Sequence, residues 1–388
     1  MQKQSDFDYS KPIALFDKTN LQKCSWPNTE NGEFAKNYLT PFILNGVNHY
    51  ISNIKTNFQV LVWDQLVLPI SINETDYDNS YVCSPYSFFI SYACQSLDVV
   101  DQKWLKKPIA FGIDNLGKLL TKCGFNQVVT VNNWFFSTNL YPPLNQKQIH
   151  KVTQFLKSQF PYHTIIFPTI DPKIHSECYE ALKANQFQLI AHRPILFIDH
   201  KTQEKLLESR IFKSDQKLLK ESGYTILENK DLKEEDIPRL VDLYQKLYIE
   251  KYSQLNPQLT ENYIHHVLNH NLLEFRVLKK EGRLDGVAAY FQRNGKMFCA
   301  IFGYDQQLPK EASLYRILST VLMLEAHKKG LLFHLSSGAF KYKTIRKAQT
   351  CIEYLAVSHD HLSYKRRFPW RLLQTVYNSL GLFYMKRI

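Results

Sequence analysis

The sequence predicts an α/β (α+β) fold in two consecutive halves, and three observations lead there. At 388 residues the chain exceeds what one hydrophobic core usually serves, so two domains are the natural expectation. Strand-like runs rich in β-branched residues alternate with segments of helical spacing, the pattern of layered α/β structure. Between them, residues 202–222 form a charged helical segment closed by Gly223, which divides the chain.

The elements follow in order. The first 35 residues are polar and read as irregular. Residues 58–72 read as two strands around Asp64 and Gln65, with β-formers throughout, and another apolar stretch follows at 86–93. Residues 109–123 read as a helix closed by Gly124, and 127–136 as a strand. Next come a helix over 146–160, a strand over 163–170, a helix over 172–184 and a strand over 187–198. Asp171 and Pro172 supply that second helix with an N-cap and a first-turn proline.

The second half is clearer. Asp236 and Pro238 open a helix whose apolar positions (Ile237, Leu240, Val241, Tyr244, Leu247, Tyr248) have helical spacing, and Thr260 caps a short one through Leu268. Strands are predicted over 273–278, 287–292 and 296–304, with Gly282 in the first turn and Asn294-Gly295, a strong hairpin signal, in the second. A long helix over 312–329 ends at Gly330. Residues 331–357 then read as strand, glycine turn, basic helix, strand.

Composition bounds the function. The apolar fraction of 44% and charged fraction of 22% are ordinary for a globular chain, and the 14% of aromatics means large side chains fill the cores. Seven scattered cysteines, with no C-x-x-C pair, argue for reduced thiols in a cytoplasmic setting and against a zinc site or a disulfide scaffold. The polar start lacks the apolar core of an export signal. The most apolar helix, over 314–326, is broken as a membrane span by Arg316 and Glu325.

The net charge is +12, and residues 339–388 alone carry +8 of it. Aromatics are interleaved with that charge in a tail, 364–388, suited to RNA, the inner membrane face or a phosphorylated substrate. The opposing reading is a solubilising end segment that packs its aromatics on the body. There is no G-x-S-x-G and no phosphate loop of the G-x-x-x-x-G-K type. His265, His266 and His270 lack the carboxylate or cysteine set that would complete a metal site, so no metal is expected.

The order of the second half (two helices, a three-strand antiparallel meander, helix, strand, helix, strand) resembles the acyl-coenzyme A N-acyltransferase fold, the GNAT fold. Two sequence signatures extend the resemblance to tandem-GNAT transferases of the Fem type and to the cellulose-biosynthesis-type acetyltransferases. One is the basic junction helix, with Arg210, Lys213, Lys217 and Lys220 before Gly223. The other is Gly338-x-x-x-Tyr342-Lys343-x-x-Arg346.

The resemblance covers roughly residues 55–365. It implies two GNAT-like domains in tandem, each a mixed, mostly antiparallel sheet flanked by helices, with an irregular segment at 1–35, a first domain at 36–200, a linking helix at 201–224, a second, donor-binding domain at 225–363 and the basic tail at 364–388. The glycine pair of the usual pyrophosphate loop is absent from residues 303–310.

The implied activity is transfer of an acyl or aminoacyl group, from acyl-CoA or an aminoacyl-tRNA, to an amine acceptor. Partners would be that acceptor, tRNA as the alternative carrier, and a membrane surface met through the tail. The rival reading is a catalytically degenerate GNAT pair that binds RNA or an anionic membrane.

Acyl transfer needs hydrogen-bond donors for the tetrahedral oxyanion, and Lys343, one turn past the glycine turn, is the first candidate, with a phosphate clamp as its alternative role. Candidates for the base that deprotonates the ammonium are Asp305, Tyr304, Glu353 and His334. Ser336, Ser337, Gly338, Lys341, Tyr342 and Arg346 are the candidate cofactor-binding residues, because a helix start just past a glycine turn offers free N–H groups to phosphate. The spatial expectation is a second-half sheet that opens like a V, with this cationic turn at its mouth.

Overall fold

The computed structural model describes residues 7–95 and 103–381. Strand β1 (Ala14–Phe16) and helix α1 (Glu30–Asn45) open the chain. The first 35 residues are therefore not wholly irregular. Thr29 caps α1 by accepting the Gly32 N–H, and Ala35, Tyr38, Leu39 and Phe42 bury one face of it. Strands β2 (Asn57–Trp63) and β3 (Leu66–Asn73) form the expected hairpin. The apolar stretch after it is helical, a π-type segment over Ser87–Ser91 running into α2 (Tyr92–Gln95).

Helix α3 (Lys103–Lys122) ends before Gly124, whose φ of +64° closes it. Strand β4 is only Val128–Val131, because asparagines divert the chain next. Asn133 accepts the Phe135 N–H, Asn139 accepts the Trp134 N–H, and Asn132 and Phe135 take positive φ. Helix α4 (Gln146–Gln159) carries a capping box between Asn145 and Gln148.

After β5 (Thr164–Ile170), helix α5 (Ser176–Ala184) starts four residues later than predicted. The Asp171 carboxylate accepts the N–H groups of Lys173 and Ile174 in a turn instead of capping a helix. Strand β6 (Gln188–Ile198) completes the first half.

The linking segment is two helices, α6 (His200–Glu208) and α7 (Arg210–Glu221). Ser209 breaks it by taking extended backbone and capping α7 through the Phe212 N–H. Then follow β7 (Thr225–Leu227), α8 (Ile237–Gln245) with a π-type extension to Tyr252, and α9 (Glu261–Asn269), capped by Thr260. The second half ends with β8 (Glu274–Lys280), β9 (Arg283–Arg293), β10 (Lys296–Tyr304), α10 (Leu314–Lys328), β11 (Leu332–Ser336), α11 (Phe340–Thr344), β12 (Gln349–Ser358) and α12 (Tyr364–Val376).

All twelve strands form one sheet in the order β1-β2-β3-β4-β5-β12-β6-β11-β10-β9-β8-β7. The order reveals an internal repeat. In each half an antiparallel meander (β2-β3-β4, β8-β9-β10) is followed by a helix and a strand parallel to the meander's last member (β5, β11). The final strands are exchanged. β6 pairs with β11, and β12 pairs with β5, while β6 and β12 pair with each other at the centre. The halves also share a core, in which Tyr38 and Phe42 of α1 pack on Tyr263 of α9.

The basic tail is part of this body as far as it is described. Trp370 of α12 is buried, packs its ring tilted on Phe125 with centroids 4.2 Å apart and donates to the Thr164 hydroxyl at 3.1 Å. Arg366 donates to the Gln127 side chain and carbonyl. Tyr364 and Phe368 remain exposed, and residues 382–388, with Lys386 and Arg387, lie outside the described residues. Among the described residues no helix is long and apolar enough to cross a membrane.

Candidate active site

The site begins where two strands part. β10 and β11 pair over three positions, Lys296 with Leu332, Met297 with Phe333 and Phe298 with His334, and there the ladder stops. A register shift between Cys299 and Ile301 bends β10 away, and a second, between His334 and Ser336, keeps β11 on β6. The sheet therefore opens as a V.

A cavity of about 510 Å³ fills the opening. Cys299, Phe302 and Tyr304 line one arm, and Leu335, Ser336, Ser337 and Lys343 the other. That volume lies within the roughly 300–1,000 Å³ of small-molecule sites. The first half has the matching V, since β4 and β5 also part after three pairs. There Phe88, Phe89 and Phe136 reduce the space to about 50 Å³.

The turn after β11 is strained. Ser336, Gly338 and Ala339 all have positive φ (59°, 83° and 46°), and only the glycine takes that without a Cβ penalty. The turn aims two carbonyls at one point. Lys343 Nζ donates to the Leu335 carbonyl at 2.7 Å and the Ser337 carbonyl at 3.2 Å. An ammonium has three N–H bonds, so one remains for a ligand in the cavity that Lys343 lines. Burial, and then the nearby Arg193, lower its pKa to about 8.

At the centre of the sheet lies a buried charge cluster. Glu353 of β12 accepts from Arg193 Nε at 2.9 Å and from His192 Nδ1 at 3.1 Å. Burial alone would push the Glu353 carboxyl up, but Arg193 and His192 hold it below the usual range. Glu353 does not line the cavity; it orients Arg193, which does. His334 also lines the cavity. Its Nδ1 accepts the Ser336 N–H at 3.0 Å, which puts the ring proton on Nε2, 3.9 Å from Glu353 Oε2. Burial lowers its pKa to about 4.

Beyond Tyr304, Tyr315 and Tyr342, an open cleft adjoins the cavity, with Lys251, Lys310, Arg316 and Arg346 along it. Helix α10 begins at this cleft, and its N-cap Ser313 makes no side-chain capping bond, so the first-turn N–H groups lack that partner. Arg316 and Arg346 share one carboxylate, Asp215 of α7. Two cations on one anion leave the cleft positive.

Of the sequence candidates, Lys343, Tyr304, Ser336, Ser337, Gly338 and Tyr342 come together around the cavity. Asp305 does not. It lines only the outer cleft, and it stays ionised: burial opposes this, but the Gln307 N–H at 2.8 Å and Arg239 at 2.6 Å stabilise the charge. That makes it a loop staple and a poor base. Glu353 as a base is likewise corrected to a group that holds Arg193.

Lys341 is exposed and lines neither space. Arg346 is buried, bonds Asp215 through two nitrogens and the Tyr342 carbonyl through a third, and lies 3.5 Å over the Tyr342 ring, so it anchors α11 instead of offering itself freely to phosphate. The expected phosphate site at the start of α11 also fails, because that helix has only five residues and too little dipole.

Sequence reasoning missed Arg193 and the aromatic wall of Tyr81, Phe88, Tyr92, Tyr248 and Tyr252. The signal for Arg193 was present: His192-Arg193-Pro194 interrupts an otherwise apolar central strand.

Residues 209–344 match the family model described as the acetyltransferase (GNAT) domain. The second half of this chain carries a GNAT domain. Its match starts at the cap of α7 and ends in α11, so it contains the V, the strained turn and Lys343. No curated protein matches the chain.

Among solved structures, FemX is 9% identical, with a TM-score of 0.47 over 64% of this chain and 83% of its own. The C-terminal domain of a putative lysylphosphatidylglycerol synthetase from Agrobacterium fabrum is 14% identical, with a TM-score of 0.41 over 60% and 77%. A GCN5-related N-acetyltransferase from Kribbella flavida is 12% identical, with a TM-score of 0.33 over 61% and 84%. At these values the three bear on no residue's role in the GNAT domain described here.

Proposed function

We propose that this protein is an N-acyltransferase that takes its acyl group from an acyl-CoA thioester and gives it to an amine. The observation that carries this reading is the V of the GNAT domain, whose ladder stops at Phe298 and His334 and opens on a cavity holding Lys343. The thioester carbonyl lies in the V, and the free N–H of Lys343 meets the oxygen as it gains charge. The CoA phosphates lie in the outer cleft, near the start of α10, Lys310 and Arg316. The amine nitrogen bonds to the carbonyl carbon, the C–S bond breaks with its electron pair on sulfur, and the proton lost by nitrogen ends on the thiol.

Acyl-CoA is favoured over aminoacyl-tRNA by charge. Arg193 and Lys343 line the cavity, and among the described residues no carboxylate does, so an aminoacyl ester would bring an ammonium there with neither a wall carboxylate nor a free one of its own to offset it. Cys299 is no rival nucleophile. Burial raises its thiol to about 12, and its Sγ donates to the Ile301 carbonyl.

Calorimetric titration of the full chain with acetyl-, butyryl- and palmitoyl-CoA, beside charged tRNAs, tests the assignment. At least one acyl-CoA is expected to bind, with free thiol released when an amine is added. Binding of charged tRNA alone, or of nothing in the panel, would remove it.

A further inference from the structure

The cavity extends past the V to the centre of the sheet, and its far wall is foreign to the GNAT domain. Tyr81, Phe88, Tyr92, Ser137 and Arg193 all come from the first half. Arg193 reaches it because β6 is the exchanged strand, lying between β11 and β12.

Its guanidinium is held through two of its three nitrogens. Nε donates to Glu353, and one terminal nitrogen donates to the Ser137 carbonyl and, at 3.1 Å, to the Thr138 hydroxyl. The other terminal nitrogen makes no hydrogen bond within the protein among the described residues. A planar guanidinium fixed on two edges presents the third in one orientation, which suits a carboxylate.

The charge balance agrees. Glu353 offsets Arg193, and Lys343 then has only carbonyls for company. The surrounding wall is aromatic. Tyr81, Phe88, Tyr92, Tyr248 and Tyr252 would pack on a flat or apolar body.

We propose that this far wall is the acceptor subsite, and that the acceptor is an amine bearing a carboxylate on an apolar or aromatic body, an amino-acid-like molecule whose carboxylate is received by Arg193. The proposal rests on the acyl-donor reading of the V for which group is transferred, and on the wall alone for what is bound. It also accounts for the nucleophile. An amine drawn by its carboxylate into a site lined by Arg193 and Lys343 and, among the described residues, by no carboxylate loses its proton more readily, and the neutral form is the one that attacks.

Direct binding separates this inference from the donor reading. The full chain is titrated with 3-phenylpropionate and with 3-phenylpropanamide, which share shape and differ in charge. The acid is expected to bind about 10-fold tighter or more, the scale of one charged hydrogen-bonded contact. In Arg193→Lys, which keeps the charge beside Glu353, that preference should shrink, while acetyl-CoA affinity stays as in the parent chain.

Equal affinity of acid and amide, tighter binding of the amide, or binding of neither overturns the proposal without need of any variant. A retained acid preference with no acyl-CoA binding would leave the subsite standing and remove the donor reading alone.

Discussion

At the scale of single residues, Lys343 is the most consequential group. Its ammonium is desolvated yet bonded to two carbonyls, and its pKa near 8 sets a pH window. The oxyanion role proposed for it needs the protonated form. Turnover should therefore fall as pH rises through about 8, and the plateau should lie below. Folding shows the opposite trend. A lysine whose folded pKa lies below its unfolded value of 10.5 disfavours the native state while it is protonated, so its contribution to stability improves between about 8 and 10.5.

Lys343→Met should lower kcat by about 10²- to 10³-fold, the cost of one oxyanion donor, and remove the alkaline fall. Removing a buried charge should leave the melting temperature equal or higher. A kcat unchanged in Lys343→Met, or a parent profile flat from pH 6 to 10, would remove Lys343 from the chemistry. Of its neighbours in sequence, Lys341 and Arg346 looked equivalent as cations, and only packing separates them. One faces water and the other is bound to Asp215, 131 residues earlier.

At the scale of elements, the V depends on how closely β10 approaches α8. Gly303 lies in β10 with no room for a side chain. A Cβ there would sit 2.4 Å from the Leu243 carbonyl oxygen and 2.7 Å from the Tyr244 nitrogen, both backbone atoms of α8. Gly303→Ala must push strand and helix apart. It should cost about 1–3 kcal/mol, read as a lower urea midpoint, and weaken acyl-CoA binding, because Tyr304 on the next position lines the cavity. Gly303→Ala with parental stability would show that the approach is not tight.

This glycine carries no turn signal, which shows what sequence reading can and cannot reach. The second-half meander, the long α10 and the strand-turn-helix after it were legible because Asn294-Gly295, Gly330 and Gly338 mark their ends and the apolar spacing fills them. The Asp171 turn was misread as a helix start, since a carboxylate that accepts the next N–H groups looks the same in sequence whether or not a helix follows. The length of α11 was invisible for a similar reason. Its basic residues fit a helix that runs on through Lys347, whereas the helix ends at Thr344 and Lys347 takes a positive φ.

At the scale of the whole molecule, the boundary read near residues 201–224 is a boundary of sequence and not of hydrogen bonding. β6 precedes it and forms ladders with β11 and β12, both of which follow it, and β12 in turn completes the first-half sheet beside β5. α12 then buries Trp370 in a cluster made of Phe89, Leu120, Phe125 and Ile166. A chain cut at residue 208 would leave the first half without β12 and α12, and the second with β11 facing nothing on its β6 side. Each piece would present a long unpaired edge and an open apolar face.

The intact protein should therefore unfold in one cooperative transition, with tyrosine and tryptophan probes in both halves reporting the same urea midpoint. Residues 1–208 and 209–388, expressed alone, should be insoluble or lack cooperative melting, and co-expression should recover a complex. Two separated transitions in the intact chain, or a 209–388 piece that melts cooperatively alone, would contradict the strand exchange. The exchange also explains why side chains of the first half and the V of the GNAT domain line one cavity. Arg193 is carried into the second half's cavity by a strand of the first, and the partner that orients it, Glu353, is carried the other way.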